Sequence, residues 1–445
     1  MAKFPRLITL PIAAMLILSA CGSSATPSPS SGASAPAGST GTESTAPSGS
    51  AVTGGSITVT SLWGGSEQAS FQKVLDAFQA KTGITAKYES VRDNYATALQ
   101  TRISGGNPPD VAIMPGIGFL RHFAKDGSIV KIADLGIDPA SLQANYAPGI
   151  LDVGTVGGDL YGIMVKFNSK STVWYRPDKL TAAGVQIPKD WDAFTAAINT
   201  LKAKGDKPLG LGAGDSWTLT DWFESIYVRQ AGPDAYSKLF SADGDWTDPT
   251  VATAVKTMTD VLTDANVDGG IKAALGRKFL DGMAQVFSTN PTADMYYEGG
   301  FVGGLAIGAN KALKPVDSIN WFDFPSINGG NAVTIGGDVI APLTKNPGVK
   351  EFIQYMTTAD AGGVWAGTGA IISPVKGVPD SVYPNDLAKR EAAQVANATA
   401  VRYDGSDLLP AGAPDLGAEL QKAIQGQTVD WASFQTQVKT AWGNE

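Results

Sequence analysis

Between residues 57 and 114 the apolar positions switch between two spacings. Ile57-Thr-Val-Thr-Ser-Leu62 alternates apolar with polar, the period of a half-buried strand. Phe71, Val74, Leu75 and Phe78 then recur every three or four residues, the period of a helix, with Ser66 placed to cap it and Gly83 to end it. Ile84 to Ser90 returns to strand. Tyr95, Leu99 and Ile103 mark a second amphipathic helix, which Pro108-Pro109 closes ahead of a third strand, Asp110-Val-Ala-Ile-Met114. The order βαβαβ predicts a parallel sheet with helices on its faces. Ligands of such sheets sit beyond the carboxyl ends of the strands. Those ends are Trp63-Gly-Gly-Ser-Glu67 and Pro115-Gly-Ile-Gly118, both rich in glycine, so the backbone can approach a ligand.

A second α/β region follows. Val173-Trp-Tyr175 reads as a short strand. Asp190 caps a helix that turns Trp191, Phe194, Ile198 and Leu201 inward. Pro249 opens another, with Val251, Ala254, Val255, Met258 and Leu262 on its buried face. Ser326 to Asn331 is a loop, and Ala332 to Ala341 a strand pair or a crossing. Late helices are predicted near Lys350–Thr358, Asp415–Gln425 and Trp431–Trp442.

The N-terminus changes the accounting. Lys3 and Arg6 precede an apolar run from Leu7 to Leu18, shorter than the roughly 20 residues a transmembrane helix needs. It reads as a signal-peptide core. Leu18-Ser19-Ala20-Cys21-Gly22 resembles a bacterial lipobox, which implies cleavage after residue 20 and a lipid on Cys21. Residues 21–55 are then a linker of Ser, Thr, Pro, Gly and Ala, too poor in apolar groups to fold. It would reach on the order of 30 Å from the membrane. No later stretch has transmembrane length.

Composition removes whole classes of function. The 445-residue chain has 34 basic and 42 acidic side chains, a net charge of −8, with no basic block to meet a nucleic acid. One Cys and one His exclude an internal disulfide and a His/Cys zinc cage. Asp243-Gly-Asp245-Trp-Thr247-Asp248 has a faint look of a calcium loop but lacks the bidentate Glu, and Asp248 or Thr247 more simply caps the Pro249 helix. No metal or cofactor is assigned, and His122 is assigned nothing.

A collinear series of motifs is more informative. Gly106-Asn-Pro-Pro-Asp110-Val, Gly158-Asp-Leu-Tyr-Gly162-Ile, Val173-Trp-Tyr175-Arg-Pro-Asp and Ile187-Pro-Lys-Asp-Trp191 together resemble the extracellular solute-binding proteins of bacterial ABC importers, of the maltose-binding type, over about 56–445. Lys166-Phe-Asn-Ser-Lys170-Ser-Thr-Val-Trp174-Tyr, Asp221-Trp-Phe-Glu224, Ala231-Gly-Pro-Asp234, Trp365, Ile372-Ser-Pro374 and Arg402-Tyr-Asp-Gly-Ser-Asp407-Leu-Leu-Pro410 are similar to the alpha-glucoside-binding group. Two departures stand out. Leu416-Gly-Ala-Glu-Leu420 replaces aromatic residues common after the Gly-Ser-Asp segment, and a Pro-Trp-Cys segment before Trp217 is absent.

The resemblance implies an α/β, two-lobed periplasmic-binding-protein-like fold (type II) with a ligand cleft between the lobes. By likeness lobe 1 is 56–167 plus 295–338 and lobe 2 is 168–294 plus 339–445, with crossings near Lys166–Asn168, Asp294–Glu298 and Gly337–Ala341. It implies a non-enzymatic sugar receptor, monomeric, lipid-anchored on the outer face of the cytoplasmic membrane and serving permease subunits. A sugar offers apolar C–H faces and a rim of hydroxyls, which aromatic faces and charged hydrogen-bonding groups suit. Candidate polar contacts are Ser66, Glu67, Asp110, Lys166, Asp221, Glu298, Asp338, Asp404 and Asp407. Candidate stacking faces are Trp63, Trp217 and Trp365, while Trp174, Trp191 and Trp222 read as core. Two rivals remain at this level. Tyr296-Tyr297 resembles the adjacent tyrosines of ferric-iron receptors of the same fold. An exported glycoside hydrolase would need two carboxylates about 5–9 Å apart across the bond it cleaves.

Overall fold

The computed structural model describes residues 54–146 and 150–444. Cys21, the leader and most of the linker lie outside them. No helix among the described residues is long and apolar enough to cross a membrane.

The first strands form where the alternation placed them: β1 (Ser56–Ser61), β2 (Thr85–Ser90) and β3 (Val111–Met114). β1 lies between β2 and β3 and is parallel to both. The helix Gly65–Thr82 buries Phe71, Val74, Leu75 and Phe78, each worth about 1.5–3 kcal/mol of apolar burial. Gly83 ends it with φ of 74°, a left-handed conformation that suits glycine. Its N-cap is Gly64, so Ser66 lies in the first turn rather than capping. A small hairpin, β4 (Thr155–Val156) and β5 (Asp159–Leu160), leads into β6 (Ile163–Ser169).

A separate sheet follows. β7 (Thr172–Tyr175) pairs antiparallel with β8 (Met295–Tyr297) on one side and β9 (Asn320–Asp323) on the other. The alternation of strand side chains sorts its residues onto two faces. Val173, Tyr175, Met295, Tyr297 and Phe322 share a core with the helices Trp191–Ala203, Trp217–Gln230 and Pro249–Val261. Trp174, Tyr296 and Trp321 share another with the helices Phe279–Phe287 and Phe301–Ala309. Asp190 and Asp248 cap their helices as read from the sequence.

β10 (Val333–Pro342) runs through both halves. Its first residues pair in parallel with β11 (Val401–Tyr403), its middle pairs antiparallel with β6, and its last residues pair antiparallel with β3. This corrects the expected allocation of segments. Met295–Tyr297 and Asn320–Asp323 pair with β7, so residues 295–335 stay in lobe 2. Val339–Pro342 joins β3, and the helices Pro347–Met356 and Ala359–Ala366 pack their Val349, Phe352, Ile353 and Trp365 with Phe71 and Phe78, so this stretch is lobe 1. The helices Leu416–Ile424 and Trp431–Gly443 complete the lobe 2 core. The chain therefore crosses at 168–171, near 336–338 and after the helix Asp386–Ala396, not at Asp294–Glu298. The hydrophobic pattern marked 332–341 as extended; long-range pairing decided which sheets it joins.

Candidate functional site

The first crossing carries two lysines four residues apart, Lys166 within β6 and Lys170 at the bend just after it. Each ammonium is held by a pair of carboxylates, and each lies over an indole ring.

Lys166 is buried. Its Nζ is 3.0 Å from Asp338 Oδ2 and 3.5 Å from Glu67 Oε1, and 4.5 Å from the Trp63 ring centroid. Glu67 comes from the first turn of the helix Gly65–Thr82, where the helix dipole favours a negative charge. Asp338 sits on β10 opposite Lys166, at a bulge. Burial pulls Lys166 down, but Asp338 and Glu67 outweigh it and hold the ammonium above its ordinary value. Burial raises Glu67, with Lys166 opposing. Trp63 follows β1 and packs edge-on against Phe71 and Trp365, with centroids 5.1 and 5.2 Å away. Both Trp63 and Trp365 are 2% exposed, so Trp365 backs Trp63.

Lys170 mirrors this on lobe 2. Its Nζ is 2.9 Å from Asp221 Oδ1, 2.8 Å from Asp404 Oδ2 and 5.2 Å from the Trp217 ring centroid. Asp221 and Trp217 share the helix Trp217–Gln230. Asp404 caps the short turn Gly405–Leu408, accepting from Ser406 Oγ and the Asp407 N–H. Burial pulls Lys170 down, but Asp221 and Asp404, with Asp407 and Glu298, hold it well above the usual lysine range. Asp404 is kept below its ordinary value: burial pushes it up, and Lys170 more than offsets that. Asp221 is pushed up to about 6 by burial against the pull of Lys170.

Glu298 follows β8 beside Asp221. Among the described residues Asp221 Oδ2 and both Glu298 oxygens lack a well-formed hydrogen bond, and the nearest polar groups to the Glu298 carboxyl are the Asp221 carboxyl and the Gly299 N–H. Two carboxylates cannot share such a spot fully ionised. Burial first and the Asp221 charge second drive Glu298 well above the usual range, so it holds the proton. Asp407 is half-buried and also raised, by burial and by Asp404.

The structure thus brings together Trp63, Glu67, Lys166 and Asp338 in one group, with Trp365 behind. Trp217, Asp221, Glu298, Asp404 and Asp407 form the other. Ser66 lies in the first turn of the Glu67 helix, with its Cβ 3.3 Å from where a side chain on Gly308 would begin, and joins neither group. Asp110 does not join them. It precedes β3, at the end of the strand away from Trp63, and accepts from the Thr58 N–H (2.8 Å) and hydroxyl (3.2 Å) and from the Thr344 hydroxyl (2.6 Å). It is a brace between strands, as its place after Pro-Pro allows.

Three members of the arrangement went unassigned in the sequence. Lys170 follows Lys166 by four residues in the same motif, and that repeat was the available signal. Glu224 lies one helical turn after Asp221. It accepts from Tyr236 Oη and from the Gly405 and Ser406 N–H groups, fixing the loop that carries Asp404. Tyr403 donates to the Gly337 carbonyl across the second crossing.

The tyrosine pair is already engaged. Tyr296 Oη donates to the Phe279 carbonyl at 3.0 Å, and Tyr297 Oη lies 2.7–2.8 Å from the carbonyls of Lys170 and Asp221 and the Ser225 hydroxyl. Burial drives both phenols well above their usual range, against the tyrosinate that iron would need. The iron-receptor reading is therefore set aside. Asp221 and Glu298 likewise touch each other rather than facing across a gap, which removes the most buried carboxyl pair from a hydrolytic role.

Two α/β lobes joined by three crossings, with charged and aromatic groups gathered where the chain crosses, define a two-lobed solute receptor. The chain matches the family model of bacterial extracellular solute-binding proteins over residues 64–363 and belongs to that family. It is 31% identical over 374 residues to the alpha-glucosides-binding periplasmic protein of Rhizobium meliloti, covering 80% of each chain. It is 29% identical over 361 residues to the osmoprotective compounds-binding protein of Synechocystis sp., covering 80% of this chain and 84% of that one. A solved chitin oligosaccharide binding protein is similar with a TM-score of 0.75 at 25% identity, over 87% of this chain and 99% of its own. The GacH receptor of Streptomyces glaucescens shares the fold, with a TM-score of 0.70 at 16% identity.

Proposed function

We propose that this protein captures a sugar, an alpha-glucoside or short oligosaccharide, and delivers it unaltered to the permease of an ABC importer. The observation that carries the reading is the lysine pair at the first crossing, each ammonium clasped by carboxylates over an indole. Such groups give hydroxyls charge-assisted partners worth about 1.5–3 kcal/mol each. The half-exposed Trp217 offers a face for sugar C–H groups, and the half-buried Asp407 offers a carboxyl to a hydroxyl. The two relatives quoted above are named for binding alpha-glucosides and osmoprotective compounds, which supports a small polyhydroxylated ligand. Closure of the lobes around it would be a hinge motion at the three crossings.

In this reading Cys21 carries the lipid, and the linker up to residue 55 holds the receptor at the outer face of the membrane. Replacing Cys21 with Ala would release the protein into the soluble fraction; retention at the membrane would overturn the anchor. Fluorescence titration of the tryptophans, with thermal shift, against maltose, trehalose and larger alpha-glucosides tests the ligand. Saturable binding of one of them is expected. Silence across a broad sugar panel would overturn the assignment.

A further inference from the structure

Lys170 touches more of the interlobe connection than its neighbours do. It lies on the first crossing, between β6 and β7. Its N–H donates to the Thr334 carbonyl on β10 at 2.7 Å, and its carbonyl accepts from Tyr297 Oη at 2.7 Å and Ser225 Oγ at 3.1 Å. The backbone is thus fixed to lobe 2 from two sides. The side chain then runs across β10 at Gly336. A Cβ at that position would stand 2.4 Å from Lys170 Cε, so a side chain there would push the lysine stem off this path. Beyond it, Nζ reaches Asp404 just past β11, whose N–H is itself held by the Ile335 carbonyl at 2.7 Å. Asp404 caps the turn Gly405–Leu408. That turn meets the lobe 1 helix Ile117–Lys125: the Leu409 carbonyl would lie 1.9 Å from a Cβ on Gly118, and Arg121 donates to the Leu408 carbonyl at 2.5 Å.

The Lys170 side chain therefore passes the second crossing at Gly336 and ties the first crossing to Asp404, beyond the third, and through the Asp404 turn to lobe 1. Its other partner, Asp221, stands on the Trp217 helix in the proposed ligand wall. We propose that Lys170 is a positioning residue that locks the three crossings together, so that a ligand seated against Trp217 and Asp221 is felt by the lobe connection as a whole. The inference rests on the receptor reading for its link to a ligand, but its mechanical part does not need one.

The test uses Lys170→Met, Lys170→Arg and Gly336→Ala in the full chain. Amide hydrogen exchange without ligand is the first readout. Lys170→Met is expected to speed exchange about tenfold or more at 168–172, 333–338 and 402–407 together, since the charged hydrogen bond to Asp404 and the packing of the lysine stem along Gly336 are both lost. Gly336→Ala, which leaves the lysine in place but blocks its path, is expected to do the same at all three. Lys170→Arg is expected to restore slower exchange in part. Faster exchange at only one of the three stretches, or none, would overturn the proposal. Small-angle scattering at saturating sugar is the second readout. Lys170→Met is expected to stay more extended than the wild type even when fully bound; a variant that binds weakly yet closes fully at saturation would show a plain ligand contact instead. If no sugar binds the wild type, the receptor reading falls, while the exchange result still decides the role of Lys170.

Discussion

Glu391 gives the sharpest test of the charge arrangement behind the crossings. It lies on the helix Asp386–Ala396, is 3% exposed, and forms no ion pair among the described residues. Its Oε1 accepts from Asn168 Nδ2 at 3.1 Å and from the Ser169 N–H at 3.0 Å. Its carboxyl abuts Gly300, where a Cβ would fall 1.8 Å away, so no water-sized space lies on that side. Burial pushes Glu391 up from 4.5 to about 7, and the two hydrogen bonds only partly oppose this. The fold thus favours the protonated acid. Between pH 4.5 and 7 the folded chain holds a proton that the unfolded chain has released, so stability falls as pH rises through this window. The full effect is about 3 kcal/mol, complete above pH 7. Glu391→Gln keeps the acceptor oxygen and the volume of the neutral acid but cannot ionise. Urea unfolding followed by tryptophan fluorescence at pH 5 and pH 8 measures the difference. The wild type should lose about 2.5 kcal/mol more than the variant between the two, part of the full effect being already lost at pH 5, and other carboxyls cancel because both chains share them. Parallel pH profiles would refute the reasoning.

Three further outcomes follow from the site. Lys166→Met leaves Asp338 buried without its cation and should cost about 3–5 kcal/mol in chemical denaturation, together with a large loss of sugar affinity; an unchanged midpoint would show that the pair carries nothing. Asp110→Ala should lower stability by about 1–3 kcal/mol, because Thr58 and Thr344 lose their acceptor, yet leave the sugar dissociation constant unchanged by calorimetry. A fall in affinity there would return Asp110 to the site. Trp217→Ala should weaken sugar binding about tenfold or more and remove part of the fluorescence response, as expected for a lost stacking face; wild-type affinity in that variant would move the ligand elsewhere in the cleft.

What the sequence determined alone is local. The alternation at Ile57–Leu62, the three-and-four spacing from Phe71 to Phe78 and the aspartates at 190 and 248 each act within one element, and each forms as read. The motif series fixed the family, because its order survives without any knowledge of contacts. Most members of the two charged groups were candidates from the sequence: Trp63, Glu67 and Asp404 stand at element ends, and Lys166, Asp221 and Asp338 within elements. Tertiary structure decided the rest, and for one reason: strand pairing joins residues far apart in sequence, and the alternation of a strand carries no name for its partner. So β10 joined β3 and β6 where the segment order suggested a different lobe. Asp110 found Thr58 and Thr344 before any ligand could claim it. Lys170, one more lysine in a motif, became the link between three crossings only because Gly336 and Asp404, more than 160 residues further on, fold against it.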